Sequence, residues 1–289
     1  MTICRLYYMN KTRHVKILIG LFVLFLVPAA FGQNLPGLQI TVQENNGELT
    51  IVSSRGTVNE LVIPGIINNM PVTAIGEGAF TRRGLTKVII PDSVKVIGDY
   101  AFSFNELTTL VIGNNVVSIG QRAFFSNKIE ALTLGESVSD IGMGAFAENN
   151  LSEISFPESV THIGAYAFFF NKIRILDLPG SVTFLGEGSF STNRLHTLVL
   201  NNGTEEIGDG AFYNNQLTSI TIPASINELG KKVFDSRNTL KSSQPPVNYI
   251  DEKGEILFTT ANNFDTYYTF NGKRPGKYIF TRTGWTFEE

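Results

Sequence analysis

From Ile75 onward the apolar positions repeat at a fixed interval. An Ile or Leu followed by Gly stands at Ile75, Ile97, Ile119, Ile141, Ile163, Leu185, Ile207 and Leu229, each 22 residues from the last. Five residues after each comes a Phe, from Phe80 through Phe102, Phe124, Phe146, Phe168, Phe190 and Phe212 to Phe234. Ten residues after comes an aliphatic: Leu85, Leu107, Ile129, Leu151, Ile173, Leu195 and Leu217. No insertion or deletion interrupts the interval. A unit this short cannot bury its own apolar face, so the pattern predicts stacked coils with one continuous core.

Within one coil the spacing names the elements. In "LTSITIP" (217–223) the apolar residues are Leu217, Ile220 and Ile222. Ile220 and Ile222 alternate, as a short strand with one buried face should. Matching strands of successive coils are predicted to stack in parallel at about 4.8 Å, so seven coils give a sheet roughly 34 Å across. Pro91, Pro157, Pro179 and Pro223 end these strands where no further ladder donor is needed. A second apolar pair, such as Val94 with Ile97 or Ile226 with Leu229, points inward from the return side. The Gly after each Ile or Leu and the "xxAF" turn bring the chain round, and each Phe stacks on the Phe of the next coil. A period of about 20–29 residues points to a leucine-rich repeat solenoid.

One polar position is as regular as the apolar ones. Asn105, Asn127, Asn149, Asn171, Asn193 and Asn215 each stand two residues before the aliphatic that opens the strand. A buried turn leaves backbone donors and acceptors to be satisfied, and an Asn side chain can do both. Six stacked Asn are therefore expected to bridge neighbouring coils. Six aligned amides also offer the alternative of a ligand site. The run stops at Arg83 and Arg237, where terminal coils should become atypical.

The shared words "LPxSVxxIGxxAFxxNxLxxLxI", as in "FPESVTHIGAYAFFFNKIRILDL" (156–178), resemble the BspA-like leucine-rich repeats of bacterial surface and secreted proteins. The segment from Gly47 to Phe80 is similar to the stretch that opens such arrays, and the resemblance spans roughly residues 38–240. It implies a curved parallel solenoid, export, and a role in attachment or protein binding without catalysis; some relatives bind host matrix proteins. Where ordinary leucine-rich repeats carry Asn or Cys after the strand, this chain carries Ser93, Ser137, Ser159, Ser181 and Ser225. The fold class expected is a solenoid with little α-helix and with short turns or 3-10 pieces on its convex side.

The ends differ from the array. Residues 38–63 read as strands about a hairpin, because "LQITVQENNGELTIV" alternates on both sides of "NNG". Such a hairpin would cover the open edge of the first coil. After Leu240 the period fails at "KSSQPPV". Residues 240–289 still hold ten aromatics, among them Tyr249, Phe258, Phe264, Tyr267, Tyr268, Phe270, Tyr278, Phe280, Trp285 and Phe287. They are expected to form a C-terminal cap or small β unit, with a wall-docking module as the alternative. The division expected is 1–32 signal peptide, 33–72 N-terminal β-hairpin cap, 73–240 solenoid and 241–289 aromatic C-terminal unit.

Composition narrows the function classes. Arg5, Lys11, Arg13 and Lys16 precede "ILIGLFVLFLVPAAFG", an apolar run of secretory length, and Ala30 and Gly32 suit a cleavage site before Gln33. Met9 is an alternative start. An uncleaved N-terminal anchor is the competing reading. Cys4, the only cysteine, leaves with this segment, so the mature chain has no disulfide and no thiol ligand. Its removal takes 23 Lys+Arg to 19 against 26 Asp+Glu, a net of −7. That balance argues against nucleic acid and anionic membrane as partners. Only His162 and His196 remain, at different repeat positions, and no nucleophile elbow, phosphate loop or dinucleotide fingerprint occurs. No catalytic residue, cofactor, metal or small-molecule substrate is expected.

A partner protein, whether of a host matrix or of another cell, would meet the variable positions. Ile89, Val111, Thr133, Ser155, Asp177, Val199 and Thr221 lie between the inward residues of the strands. Two residues ahead are Lys87, Thr109, Ala131, Glu153, Ile175, Thr197 and Ser219. Together they should pave the concave face, unless they are merely strand-compatible solvent positions. A second candidate is an aromatic rim formed by Phe125, Phe169 and Tyr213, with Phe104 and Phe170 beside it. These rings have the alternative of packing under the neighbouring turn. The sequence thus supports an exported binding or adhesion module. The alternatives are an envelope scaffold held through residues 241–289 and, from another class, an enzyme with an unrecognised site. Oligomeric state is not readable from it.

Overall fold

The computed structural model describes residues 17–18, 37–234, 248–250, 256–259, 272–281 and 284–288. Apart from Ile17–Leu18, which pairs with Thr41 and Val42, the signal peptide expected at 1–32 lies outside these residues, as do Phe264, Tyr267, Tyr268 and Phe270. The described chain is a β-solenoid whose coils repeat every 22 residues. Among the described residues there is no helix of any kind.

Two ladders run along the stack, and the more regular one is on the return side. The strands Val96–Ile97, Ser118–Ile119, Asp140–Ile141, His162–Ile163, Phe184–Leu185, Glu206–Ile207 and Glu228–Leu229 pair in parallel without a break, following Met70–Ile75. Each contributes one buried aliphatic, from Ile97 to Ile207, with Leu229 half-buried at the end. The glycine that follows is needed for stacking. A Cβ on Gly98, Gly120, Gly142, Gly164, Gly186, Gly208 or Gly230 would lie 2.4–2.9 Å from the backbone of the preceding coil. Their φ angles are not left-handed, so close approach of the coils selects glycine here.

The front strands behave otherwise. Glu60–Val62, Lys87–Ile89, Thr109–Val111 and Ala131–Thr133 form one four-stranded parallel sheet. Ile175–Asp177 pairs only with Thr197–Val199. The equivalent segment 153–155 forms no strand. The expectation of one continuous seven-coil sheet is therefore corrected. The ladder breaks at 153–155 and again between Thr197–Val199 and Ser219–Ile222. The reason for the first break is visible at the second inward position, where Ile90, Ile112, Leu134, Leu178, Leu200 and Ile222 are buried but Phe156 is only partly so. The Phe156 ring stands edge-on to Phe168 at 5.5 Å and to Phe190 at 6.3 Å. A ring in an aliphatic slot holds this coil's strand off its neighbours. The bonds Ile112 N–H to Thr133 O and Leu178 N–H to Val199 O have no counterpart at Leu134 or Phe156, nor at Leu200, where the second break falls.

The core follows the repeat. Phe80 to Phe212 are fully buried and stack as a column with Phe234, centroids 5.0–5.9 Å apart and planes within 12°. Each Phe N–H donates to the next coil's residue before its Phe, as Phe102 to Ala123 O and Phe146 to Ala167 O. The asparagine ladder closes as a bridge between coils. Asn149 Oδ1 accepts from Ile129 N–H at 3.0 Å, and its Nδ2 donates to Phe124 O at 3.0 Å and Phe146 O at 3.1 Å. The same three bonds recur at Asn105, Asn127, Asn171, Asn193 and Asn215, all of which are buried.

Each corner contains two left-handed residues. One column runs Gly78, Tyr100, Arg122, Gly144, Tyr166, Gly188, Gly210 and Lys232; the other runs Arg82, Phe104, Ser126, Glu148, Phe170, Thr192 and Asn214. Turns such as Ala101 N–H to Gly98 O and Ser103 N–H to Tyr100 O stay single because a left-handed residue follows within a step or two. The 3-10 pieces expected of the sequence do not form for that reason.

The two ends are covered by strands. Gln39–Asn45 and Glu48–Arg55 form a hairpin through left-handed Asn46 and Gly47, the turn that such a pair favours. Glu48–Arg55 then lies parallel to Met70–Ile75. At the other end Ser219–Ile222 pairs antiparallel with Gly276–Thr281, which pairs in turn with Gly284–Glu288. Tyr278 is fully buried there, and its hydroxyl donates to Arg274 O at 2.6 Å.

Candidate functional site

The front strands place the variable residues on one outward face. Lys87, Ile89, Thr109, Val111 and Ser219 are half-buried, and Ala131, Thr133, Glu153, Ser155, Ile175, Asp177, Thr197, Val199 and Thr221 are exposed. The inward alternates Val88, Leu110, Leu176, Leu198 and Ile220 are buried, so the period-2 pattern has put each class on its own side. The face has two apolar parts. Val62, Ile89 and Val111 are neighbours on adjacent strands, flanked by the Lys87–Glu60 ion pair at 3.7 Å. Ile175, 56% exposed, and Val199, 41% exposed, belong to the separate two-stranded sheet. Glu153 and Ser155 fall in the unpaired segment between them, and the ladder does not join the two parts.

The rim residues divide into two kinds. Phe125, Phe169 and Tyr213 are half-buried, while Ser103, Ala147 and Ser191 in the alternating coils are small and fully buried. A large side chain in every second coil thus alternates with small ones, which gives each ring room along the rim. Phe104 and Phe170, at left-handed positions, project outward. Phe104 meets Phe125 edge-on at 5.4 Å, and Phe169 meets Phe170 at 6.0 Å.

Sequence reasoning missed Tyr100, Tyr166, Arg82 and Arg122, which join these rings. Arg82 lies over Phe104 at 4.6 Å, and Arg122 lies over Phe125 at 5.5 Å and Tyr100 at 5.9 Å. The Tyr166 ring meets Phe169 edge-on at 6.0 Å and covers Gly188 of the next coil, where a Cβ would be 2.5 Å from the ring. The Tyr166 hydroxyl donates to Glu187, and that bond, with partial burial second, raises the phenol above its usual range. For three of them the missed signal was present in the sequence: four coils carry Gly where Tyr100, Arg122 and Tyr166 stand.

The two histidines lie on different sheets. His162 stacks on Phe184 at 4.3 Å on the return side, and His196 precedes a front strand with Nδ1 3.0 Å from Thr197 Oγ1. Among the described residues no three potential metal ligands cluster, and no helix is long and apolar enough to cross a membrane.

The profile described as "BspA type Leucine rich repeat region" matches in six copies, with alignments over 73–195, 118–241 and 161–283, well over half of the chain. Among solved structures the chain is similar to a leucine rich repeat protein of T. pallidum, with 22% identity and a TM-score of 0.55 over 73% of this chain and 93% of that one. It is also similar to a leucine-rich repeat protein of Bacteroides ovatus, with 26% identity and a TM-score of 0.53 over 71% of this chain and 62% of that one. The first likeness concerns the fold alone. No curated protein matches in sequence.

Proposed function

The chain belongs to the BspA-type leucine-rich repeat family, and from that premise we propose that it is an exported binding module whose front face attaches to a partner protein. The observation that carries this reading is the division of labour in every coil. The framework residues are spent on the Phe column, the Asn bridges and the glycine contacts. The front positions are exposed or half-buried, vary from coil to coil, and sit on a repeating scaffold, which is how solenoids bind. Ile175 and Val199 supply its most exposed apolar area, with Asp177 beside them to fix orientation. The mechanism is distributed contact, with no chemical step.

A cell-envelope scaffold held through residues 241–289 is the second reading. Against it, the strand Gly276–Thr281 is already used in covering Ser219–Ile222. Two measurements test the proposal. Protease added to intact cells should digest the protein while a periplasmic marker survives; protection until the outer layer is broken would transfer the argument to the scaffold. Purified chain 33–289 should bind an immobilised panel of host matrix proteins, and Ile175→Asp with Val199→Asp should abolish that binding while leaving the circular dichroism unchanged.

A further inference from the structure

The rim of the first three coils carries a patch that the front-face reading leaves unused. Tyr100 and Arg122 occupy a left-handed column that is Gly78, Gly144, Gly188 and Gly210 in four other coils. Arg82 and Phe104 occupy the second left-handed column. Backbone geometry favours glycine or a small polar residue at such places, so it does not select these side chains. The core does not select Phe104 either, since 41% of it remains exposed.

What the four share, with Phe125, is one another. Arg82 lies on Phe104, Phe104 on the edge of Phe125, and Arg122 between Phe125 and Tyr100. A guanidinium has five N–H donors. Among the described residues Arg82 donates no side-chain hydrogen bond, and Arg122 donates one, to the Tyr100 hydroxyl at 3.3 Å. Neither forms an ion pair with a described carboxylate. The rings thus hold two guanidinium groups at the surface with most of their donors unspent. Planar guanidinium matches carboxylate geometry, and Arg, Tyr and Phe are the side chains enriched where protein partners dock.

We infer that Arg82, Tyr100, Phe104, Arg122 and Phe125 form a docking site for an acidic segment of a partner protein. Carboxylates of the segment bind the two guanidinium groups, and a neighbouring apolar side chain covers Phe104. The inference rests on the chain being a protein-binding module, but not on the front face being its surface. A protein segment fits better than a sulfated glycan. Two cations interleaved with rings offer apolar contact as well as charge, and a sulfated glycan would use only the charge.

The fold supplies its own control. "YAFSF" at 100–104 recurs as "YAFFF" at 166–170, three coils further on. There Tyr166 and Phe170 repeat the left-handed placement, but the partner of the Tyr166 hydroxyl is the carboxylate of Glu187. The second cluster has aromatic rings and an acid, so it should not hold an acidic segment.

A random-peptide library displayed on phage and selected on chain 33–289 tests this, with a heparin fragment as a separate probe. Enriched peptides should carry Asp or Glu next to an aromatic or aliphatic residue. Their affinity should fall about tenfold or more in R82Q/R122Q. It should stay unchanged in Tyr166→Ser with Phe170→Ser, and unchanged in the Ile175→Asp with Val199→Asp variant. Enrichment of neutral or basic peptides, no enrichment, or binding indifferent to R82Q/R122Q would overturn the site. Heparin binding that R82Q/R122Q alone removes, without acidic peptides, would overturn the choice of partner. Peptides lost only in the front-face variant would reject this site and keep the front-face proposal.

Discussion

Asn149 and Ser189 are both buried polar residues, yet their removal should have opposite effects. Asn149 satisfies a backbone N–H and two carbonyls in two coils. Its replacement by Ala leaves those groups dry and unpaired, which costs roughly 1–3 kcal/mol. Ser189 sits in a column that is otherwise Ala79, Ala101, Ala123, Ala145, Ala167 and Ala211, with Val233 at its end. Its hydroxyl is buried without a partner. Ser189→Ala should therefore stabilise the chain, by about 1 kcal/mol. Urea denaturation of the two variants decides both; a neutral Asn149→Ala would leave the bridge without energetic weight. The left-handed corners work the other way, since each non-glycine there carries strain on the order of 1 kcal/mol.

At the scale of the element, one side chain accounts for the first of two breaks in the front sheet; the second lies between Thr197–Val199 and Ser219–Ile222. Phe156 occupies an aliphatic slot, and the ladder between Ala131–Thr133 and Ile175–Asp177 is lost. Phe156→Leu should restore it, adding a bond from Leu134 N–H to Ser155 O and another from residue 156 N–H to Asp177 O. Hydrogen exchange reads this directly: amides 134 and 156 should become protected like Ile112 and Leu178. If they exchange as before, the ring is not what holds the strand away. The return ladder should be unaffected, because its regularity rests on the glycine contacts and not on the front residues.

The whole molecule is a stack in which each coil touches its neighbours, so its two ends carry disproportionate weight. Ending the chain after residue 240 removes the strands that pair with Ser219–Ile222 and withdraws the buried Tyr278. The bared edge should drive self-association, visible by light scattering as a species larger than the full mature chain. The first end is tied by Glu48, which accepts from Lys95 Nζ at 2.9 Å and Thr73 Oγ1 at 3.0 Å. The Lys95 hydrogen bond, then that of Thr73, holds its carboxyl below the ordinary 4.5. A depressed carboxylate contributes stability above its unfolded pKa and loses it as pH falls through the folded value. Glu48→Gln should thus lower Tm at neutral pH, and the difference from the parent should vanish in acid below 4.5.

The coil itself was legible in the sequence, because a period of 22 residues without a gap leaves each framework side chain one stacking partner. The Phe column and the Asn bridges follow from that alone. Three features were decided by the tertiary structure. Glycine after each return strand answers to a backbone in the preceding coil, a distance no single repeat contains. The break at 153–155 depends on how one ring meets Phe168 and Phe190, in two further coils. The cluster of Arg82, Tyr100, Phe104, Arg122 and Phe125 draws on three coils, each of which reads alone as an ordinary turn. Periodicity fixes what lies above what; it does not fix how unlike side chains share the space between.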